Sequence, residues 1–213
     1  MIAPRSLPPD LVGVARAPEA RYGRTRAIAA PELPGGVADD IALLTFRALL
    51  LDLGLDAERA GTPQWNPLGA LIAPGARVVV KPNWVLHENQ GGHGLDPLIT
   101  HTSVLDAVLA YLALAAPARV IVGDAPVQGC RFDLLRVSMG IDALIDRHRA
   151  RGLPVEARDF RRTILLGRHG DPQVATSRGD DDYVLYDLGT ESVLEPITRR
   201  EGEFRVTMYD PDR

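Results

Sequence analysis

Two patterns of apolar and polar positions alternate along the chain. Short β-branched runs end abruptly in polar or turn residues, and longer stretches carry apolar side chains three and four positions apart. Arg77-Val-Val-Val-Lys-Pro-Asn-Trp84 is the sharpest of the first kind. Its apolar half predicts a fully buried parallel strand, and its basic, rigid and amide residues predict a carboxyl end that opens into a site. Ala118-Arg-Val-Ile-Val122 repeats the pattern and runs into Gly123-Asp-Ala-Pro126. Between them, Val104, Leu105, Val108, Leu109 and Leu112 form one helical face. Ser103 is the expected N-cap, Asp106 stands as a weaker relative of the capping-box acid, and Pro117 ends the helix. The result is a β-loop-α-β unit with parallel strands and a right-handed crossover.

The remaining pattern extends this unit in both directions. Residues 1–10 are proline-rich and read as an extended tail, 11–15 as a short strand, and 16–36 as loop. From Val37, a helix carrying Ile41, Leu44, Ala48 and Leu51 on one face, with Asp39 and Asp40 at its positive end and Gly54 after it, is expected to cover a sheet face. Residues 55–75 connect, closing on a Pro-Gly turn. Residues 84–100 are too long and polar for a minimal α/β connection and read as either a functional lid or a disordered loop. Helices follow at 132–139 and 141–151, the second with Ile141, Leu144 and Ile145 inward and His148 on the surface. Strands are expected at 154–160, 163–166, 183–187 and 203–209, with 168–182 a polar connection and the last strand an exposed edge. The predicted fold over 11–213 is a single α/β domain: an open, mainly parallel sheet with helices on both faces and an antiparallel C-terminal edge.

Composition narrows the function classes. With 213 residues, 46% hydrophobic and 24% charged, the chain can build one substantial core. A formal net charge of −4 with a pI near 5.7 argues against nonspecific nucleic-acid binding. One cysteine, Cys130, excludes an internal disulfide and any all-cysteine or iron–sulfur cluster built from this chain alone. The prolines near the amino terminus interrupt a signal-peptide core, and the apolar stretch at 107–118 is too short to span a bilayer. The expectation is a cytoplasmic protein without a membrane partner.

Candidate chemistry gathers at the two strand ends. Of 24 basic Lys and Arg residues only Lys81 is lysine. A lone ammonium suits point-charge contact with an anion or proton transfer, and the plainer alternative is a salt bridge to a neighbouring carboxylate. Ligands of open parallel sheets collect beyond the carboxyl ends of strands, so Lys81, Asn83 and Asp124 are expected to face one crevice. In this reading Lys81, Asp124 and His101 are catalytic. Asn83, Thr102, Ser103 and Gly123 bind ligand, with backbone donors at the helix start, and Asp124 is also the candidate ligand for a divalent metal. His87, His93 and His101, with Glu88 and Asp96, are a second metal candidate without a strong spacing signature. Neither Walker nor Gly-x-Gly-x-x-Gly spacing is present. Cys130 and Trp84 read first as packing, and the arginine-rich stretches 147–151 and 158–162 as solvated faces.

The ordered set Val80-Lys-Pro-Asn83, Thr100-His-Thr102 and Val120-Ile-Val-Gly-Asp-Ala-Pro126, with Asp187-Leu-Gly-x-x-Ser192 and Tyr209-Asp-Pro211 later, resembles the family catalogued as domain of unknown function 362. The resemblance covers roughly residues 11–210 and implies either the amino-terminal part of a longer architecture or a shortened member of the family. The arrangement of strand, polar turn and threonine-led helix is also similar to the first domain of nickel-dependent lactate-racemase-like proteins, a fold-level likeness from which no cofactor follows. Two functions stand: an enzyme-like domain acting on a small anionic metabolite, with or without a divalent metal, and a noncatalytic ligand-binding or assembly domain using its C-terminal edge to bind a second copy or a partner chain.

Overall fold

The fold, obtained as a computed structural model, is described for residues 11–166, 173–177 and Glu191. The expected tail at 1–10, the strands at 183–187 and 203–209, and the later family-like motifs lie outside these residues. The chain divides into units 1–176 and 177–213. The helices and sheets described below fall in the first, apart from the last residue of β7.

Among the described residues, seven strands and four α-helices occur in the order β1 (Arg24–Ala29), β2 (Val37–Asp40), α1 (Ile41–Asp52), β3 (Arg77–Val80), α2 (Thr102–Leu114), β4 (Arg119–Asp124), α3 (Phe132–Ser138), α4 (Ile141–Ala150), β5 (Val155–Asp159), β6 (Thr163–Leu166) and β7 (Gln173–Ser177). The class is α/β. β3, β4 and β5 form a parallel three-stranded sheet with β4 in the centre, pairing Val80 with Val122 and Asp124 with Asp159. β1 and β2 make an antiparallel pair, and β6 pairs with β7.

One face of the parallel sheet carries the main core. Val120, Val122 and Val155 pack with Leu105, Leu109 and Leu112 of α2, Leu135 of α3, and Ile141, Leu144 and Ile145 of α4. Burying each such side chain contributes about 2 kcal/mol. β3 is not the fully buried strand expected. It lies at an edge of this sheet, with Val78 and Val80 against the core and Val79 62% exposed on the opposite side. A β-branched run looks the same in the sequence whether one face or both are covered.

Several expected boundaries move for identifiable reasons. Residues 11–15 form no strand: Val14 donates its N–H to the Asp52 carboxylate (3.1 Å) rather than to a strand partner. Residues 24–29, expected as loop, form β1, and Val37 begins β2 rather than a helix. Asp40 is the N-cap of α1, accepting from Ala42 and Leu43, and Gly54 follows the helix at φ +64°. α1 packs on α2 instead of covering the sheet. Of the expected stripe, Ile41 is buried and Leu44 joins Leu43, Phe46 and Leu50 against Trp65 and Tyr111 in a second core, while Ala48 and Leu51 are exposed.

The N-cap of α2 is His101, two residues ahead of the Ser103 expected there. Asp106 turns toward α4, where it meets His148 (2.7 Å) and Arg147 (2.8 Å). His148, expected on the surface, is 2% exposed because it continues the buried stripe of Ile141, Leu144 and Ile145 by one helical turn. Burial pushes the Asp106 carboxyl up, but hydrogen bonds from His148 and Arg147 outweigh it and hold the group below its ordinary range. Within the polar stretch expected as a connection, 173–177 is a strand.

Candidate functional site

Parallel register brings the two strand ends together. Lys81 leaves β3 beside the end of β4, and its ammonium lies 2.8 Å from Asp124 Oδ1 and donates weakly to the Pro82 carbonyl (3.3 Å). Asp124 also accepts from the Trp84 N–H at Oδ2 (2.8 Å) and from the Ala125 N–H at Oδ1 (2.9 Å). The carboxylate thus clamps the loop after β3 onto the end of β4. Its side chain is 9% exposed, whereas that of Lys81 is 64% exposed. The salt bridge named as the plainer alternative exists, and it leaves one of three ammonium hydrogens directed away from these two acceptors.

Asn83 and His101 lie on two segments that pair antiparallel next to Trp84, whose N–H the clamp holds. The Asn83 N–H donates to Thr100 Oγ1 (2.8 Å), and the Thr100 N–H returns to the Asn83 carbonyl (2.7 Å). Asn83 is exposed, and its side-chain amide makes no hydrogen bond among the described residues. His101 Nδ1 accepts from the Ser103 N–H (3.2 Å) and lies 2.7 Å from Ser103 Oγ. An accepting Nδ1 places the proton of the neutral ring on Nε2, leaving an N–H donor on its far side. The ring stacks on Tyr22, with centroids 3.9 Å apart and planes within 6°. Ser103 is therefore occupied with orienting His101, and Thr102 is the first residue of the helix. Gly123 has a packing reason. A Cβ there would lie 2.5 Å from the Arg158 carbonyl and 2.6 Å from the Phe160 ring, so glycine admits both.

The sequence reading missed the third strand end. Asp159 ends β5 as Asp124 ends β4, and it holds Arg161 through both carboxylate oxygens, the closest at 2.5 Å. Arg161 also donates to the carbonyls of Val127 (3.2 Å) and Cys130 (2.9 Å), tying the turn after β4 to β5. This arginine is buried, which corrects the expectation of a solvated face at that position, while Arg158 and Arg162 are exposed as expected. The signal was weak: Asp159 ends its strand as Asp124 does, but Val155 is the one β-branched residue of β5. Tyr22, in a stretch without periodicity, offered none.

Other candidates separate from this cluster. His87 Nδ1 accepts from the Arg131 N–H (3.2 Å), and His93 is exposed. Among the described residues, no group of three or more His, Cys, Asp or Glu side chains could hold a metal ion. Both Asp124 oxygens already accept hydrogen bonds. Cys130 is fully buried, and that burial raises its thiol pKa, so it stays a packed thiol. Trp84 is buried against Phe132, with centroids 5.6 Å apart. Residues 84–100 are anchored at their base by a bridge between Trp84 and Ile99, while Leu86, Leu95 and Leu98 reach the main core. No helix among the described residues is long and apolar enough to cross a membrane.

Comparison of the chain with protein-family models, curated proteins and solved structures gives no match. The likeness to domain of unknown function 362 rests on the sequence motifs alone.

Proposed function

We infer that the carboxyl ends of β3 and β4 bind a small anionic metabolite in an enzyme-like domain. Lys81 supplies the charge contact, Asn83 a positioning amide, and the Nε2–H of His101 a second donor. Asp124 orients the ammonium instead of meeting the ligand. The observation that carries this reading is the Lys81–Asp124 pair: its carboxylate is buried and saturated, while its ammonium is exposed and keeps a hydrogen for another acceptor. A structural ion pair has no need of that asymmetry. A lysine so held suits polarisation of, or proton transfer at, a carboxyl or carbonyl group. The reading does not require a divalent metal. It includes the resemblance to domain of unknown function 362, a cytoplasmic setting, and a completed open sheet with helices on both faces and an antiparallel C-terminal edge.

Calorimetric titration with citrate, malonate, inorganic phosphate and a sugar phosphate tests it. At least one anion is expected to bind, and Lys81→Met to weaken it at least tenfold with an unchanged circular dichroism spectrum. Failure of every anion to bind, or equal binding by the variant, defeats the reading.

The exposed edge at Val79 favours a second reading, an assembly domain that extends its sheet onto a second copy or a partner chain. Concentration-dependent association abolished by Val79→Lys, with no anion binding, would select it.

A further inference from the structure

We propose that the described unit contains a second binding site, for a neutral apolar small molecule, between its amino-terminal segment and α1. A cavity of about 420 Å³ lies there, walled by Ile41, Phe46 and Leu49 of α1, Val104 of α2 and the ring of Tyr22. This volume is within the range of small-molecule sites. Small residues at five other lining positions, Gly13, Ala15, Ala17, Ala42 and Thr45, leave the space open. Gly13 has no room for a side chain, since a Cβ would lie 2.6 Å from Leu53. Its backbone therefore rests on α1, while the Val14 N–H is fixed to Asp52 (3.1 Å).

The chemistry of the lining selects the occupant. Arg21 is the charged member, and it already donates to Glu19 (2.8 Å) and to the Arg24 carbonyl (3.1 Å). The Thr45 hydroxyl donates to the Ile41 carbonyl (2.7 Å). With these groups engaged, polar groups of an occupant covered by the Ile41, Phe46, Leu49 and Val104 wall would be left without partners, which is costly. A hydrocarbon chain or ring meets no such cost, and apolar cavities take up such molecules readily. This site uses none of the strand-end residues, although Tyr22 links its wall to His101. It stands or falls separately from anion binding at Lys81.

The test is titration of the full chain with 1-octanol, followed by calorimetry at several temperatures, with 1,6-hexanediol as the polar control. Saturable one-to-one binding of octanol with a negative heat-capacity change is expected, and none of the diol. Ala42→Phe and Thr45→Leu fill the space from the same helix and should each weaken binding at least tenfold, while Val137→Thr, on the exposed side of α3, should leave it unchanged. Circular dichroism identifies which filled variants are folded. Absence of saturable octanol binding to the full chain would overturn the proposal, as would equal affinity in the folded filled variants. So would a dimer by sedimentation that Ala42→Phe converts to monomer, because the cavity would then belong to a second copy.

Discussion

Two ion pairs in this molecule have similar short distances and opposite consequences. Arg47 and Glu32 meet at 2.7 Å with side chains 12% and 0% exposed. The Tyr111 hydroxyl donates to the same carboxylate (2.9 Å), and the guanidinium lies over the Trp65 ring at 5.1 Å. Arg47 Nε and Nη2 and the Tyr111 hydroxyl all donate to Glu32, so the cluster fastens α1 and α2 to the connection between β1 and β2. At the strand ends only the carboxylate is sealed, and the ammonium of Lys81 stays in reach of solvent. Burial of both partners gives a fastening. Burial of one gives a fastening that can still take part in binding.

The largest effect expected from breaking this contrast is on the sealed pair. Arg47→Met leaves Glu32 buried without its cation, and denaturant unfolding should show a loss of about 3 kcal/mol or more. Asp124→Ala removes the acceptor of the buried Trp84 N–H and should cost about 2 kcal/mol by the same measurement, with Asp124→Asn recovering part of it. Lys81→Met should change stability by less than about 1 kcal/mol, the range of a largely exposed pair, while abolishing anion binding.

A pH series sharpens the comparison further. Burial pushes the Glu32 carboxyl up, but hydrogen bonds from Arg47, its own backbone and Tyr111 outweigh it and leave the group below its ordinary value near 4.5. A lowered folded-state pKa binds protons less readily than the unfolded chain. This contribution is therefore complete above the ordinary value and is lost as pH falls through the lowered one. Tyr111 shifts upward, first through burial and then through its bond to Glu32. Its contribution is complete below the ordinary value of 10.0 and declines as pH rises beyond it. Urea midpoints for wild type and Tyr111→Phe should converge at alkaline pH, since the variant lacks the titrating phenol. A constant gap across that range would contradict the assignment.

Much of the central unit was legible because local pattern and tertiary role agree there. Val78, Val80, Val120 and Val122 marked adjacent strands, and Ile141, Leu144 and Ile145 marked the inward face of α4. His148 was misread because its arginine neighbours masked the same stripe continuing. α1 was legible as a helix, but not its partner: Leu43, Phe46 and Leu50 choose α2 only once Trp65 and Tyr111 are in place. At the candidate site, Lys81 and Asp124 stood out as polar residues ending apolar strands. The stacking of Tyr22 on His101 and the hold of Arg161 on the turn after β4 depend on long-range contacts that no spacing encodes.

The single lysine allows the central claim to be tested at one atom. With lysine labelled isotopically at the ε position, one side-chain resonance reports the ammonium of Lys81. Its shift on addition of citrate, malonate or phosphate should saturate for at least one anion and change in Asp124→Asn. A resonance that follows every anion only as it follows chloride, without saturation, would show that this ammonium is a solvated partner of Asp124 and nothing more.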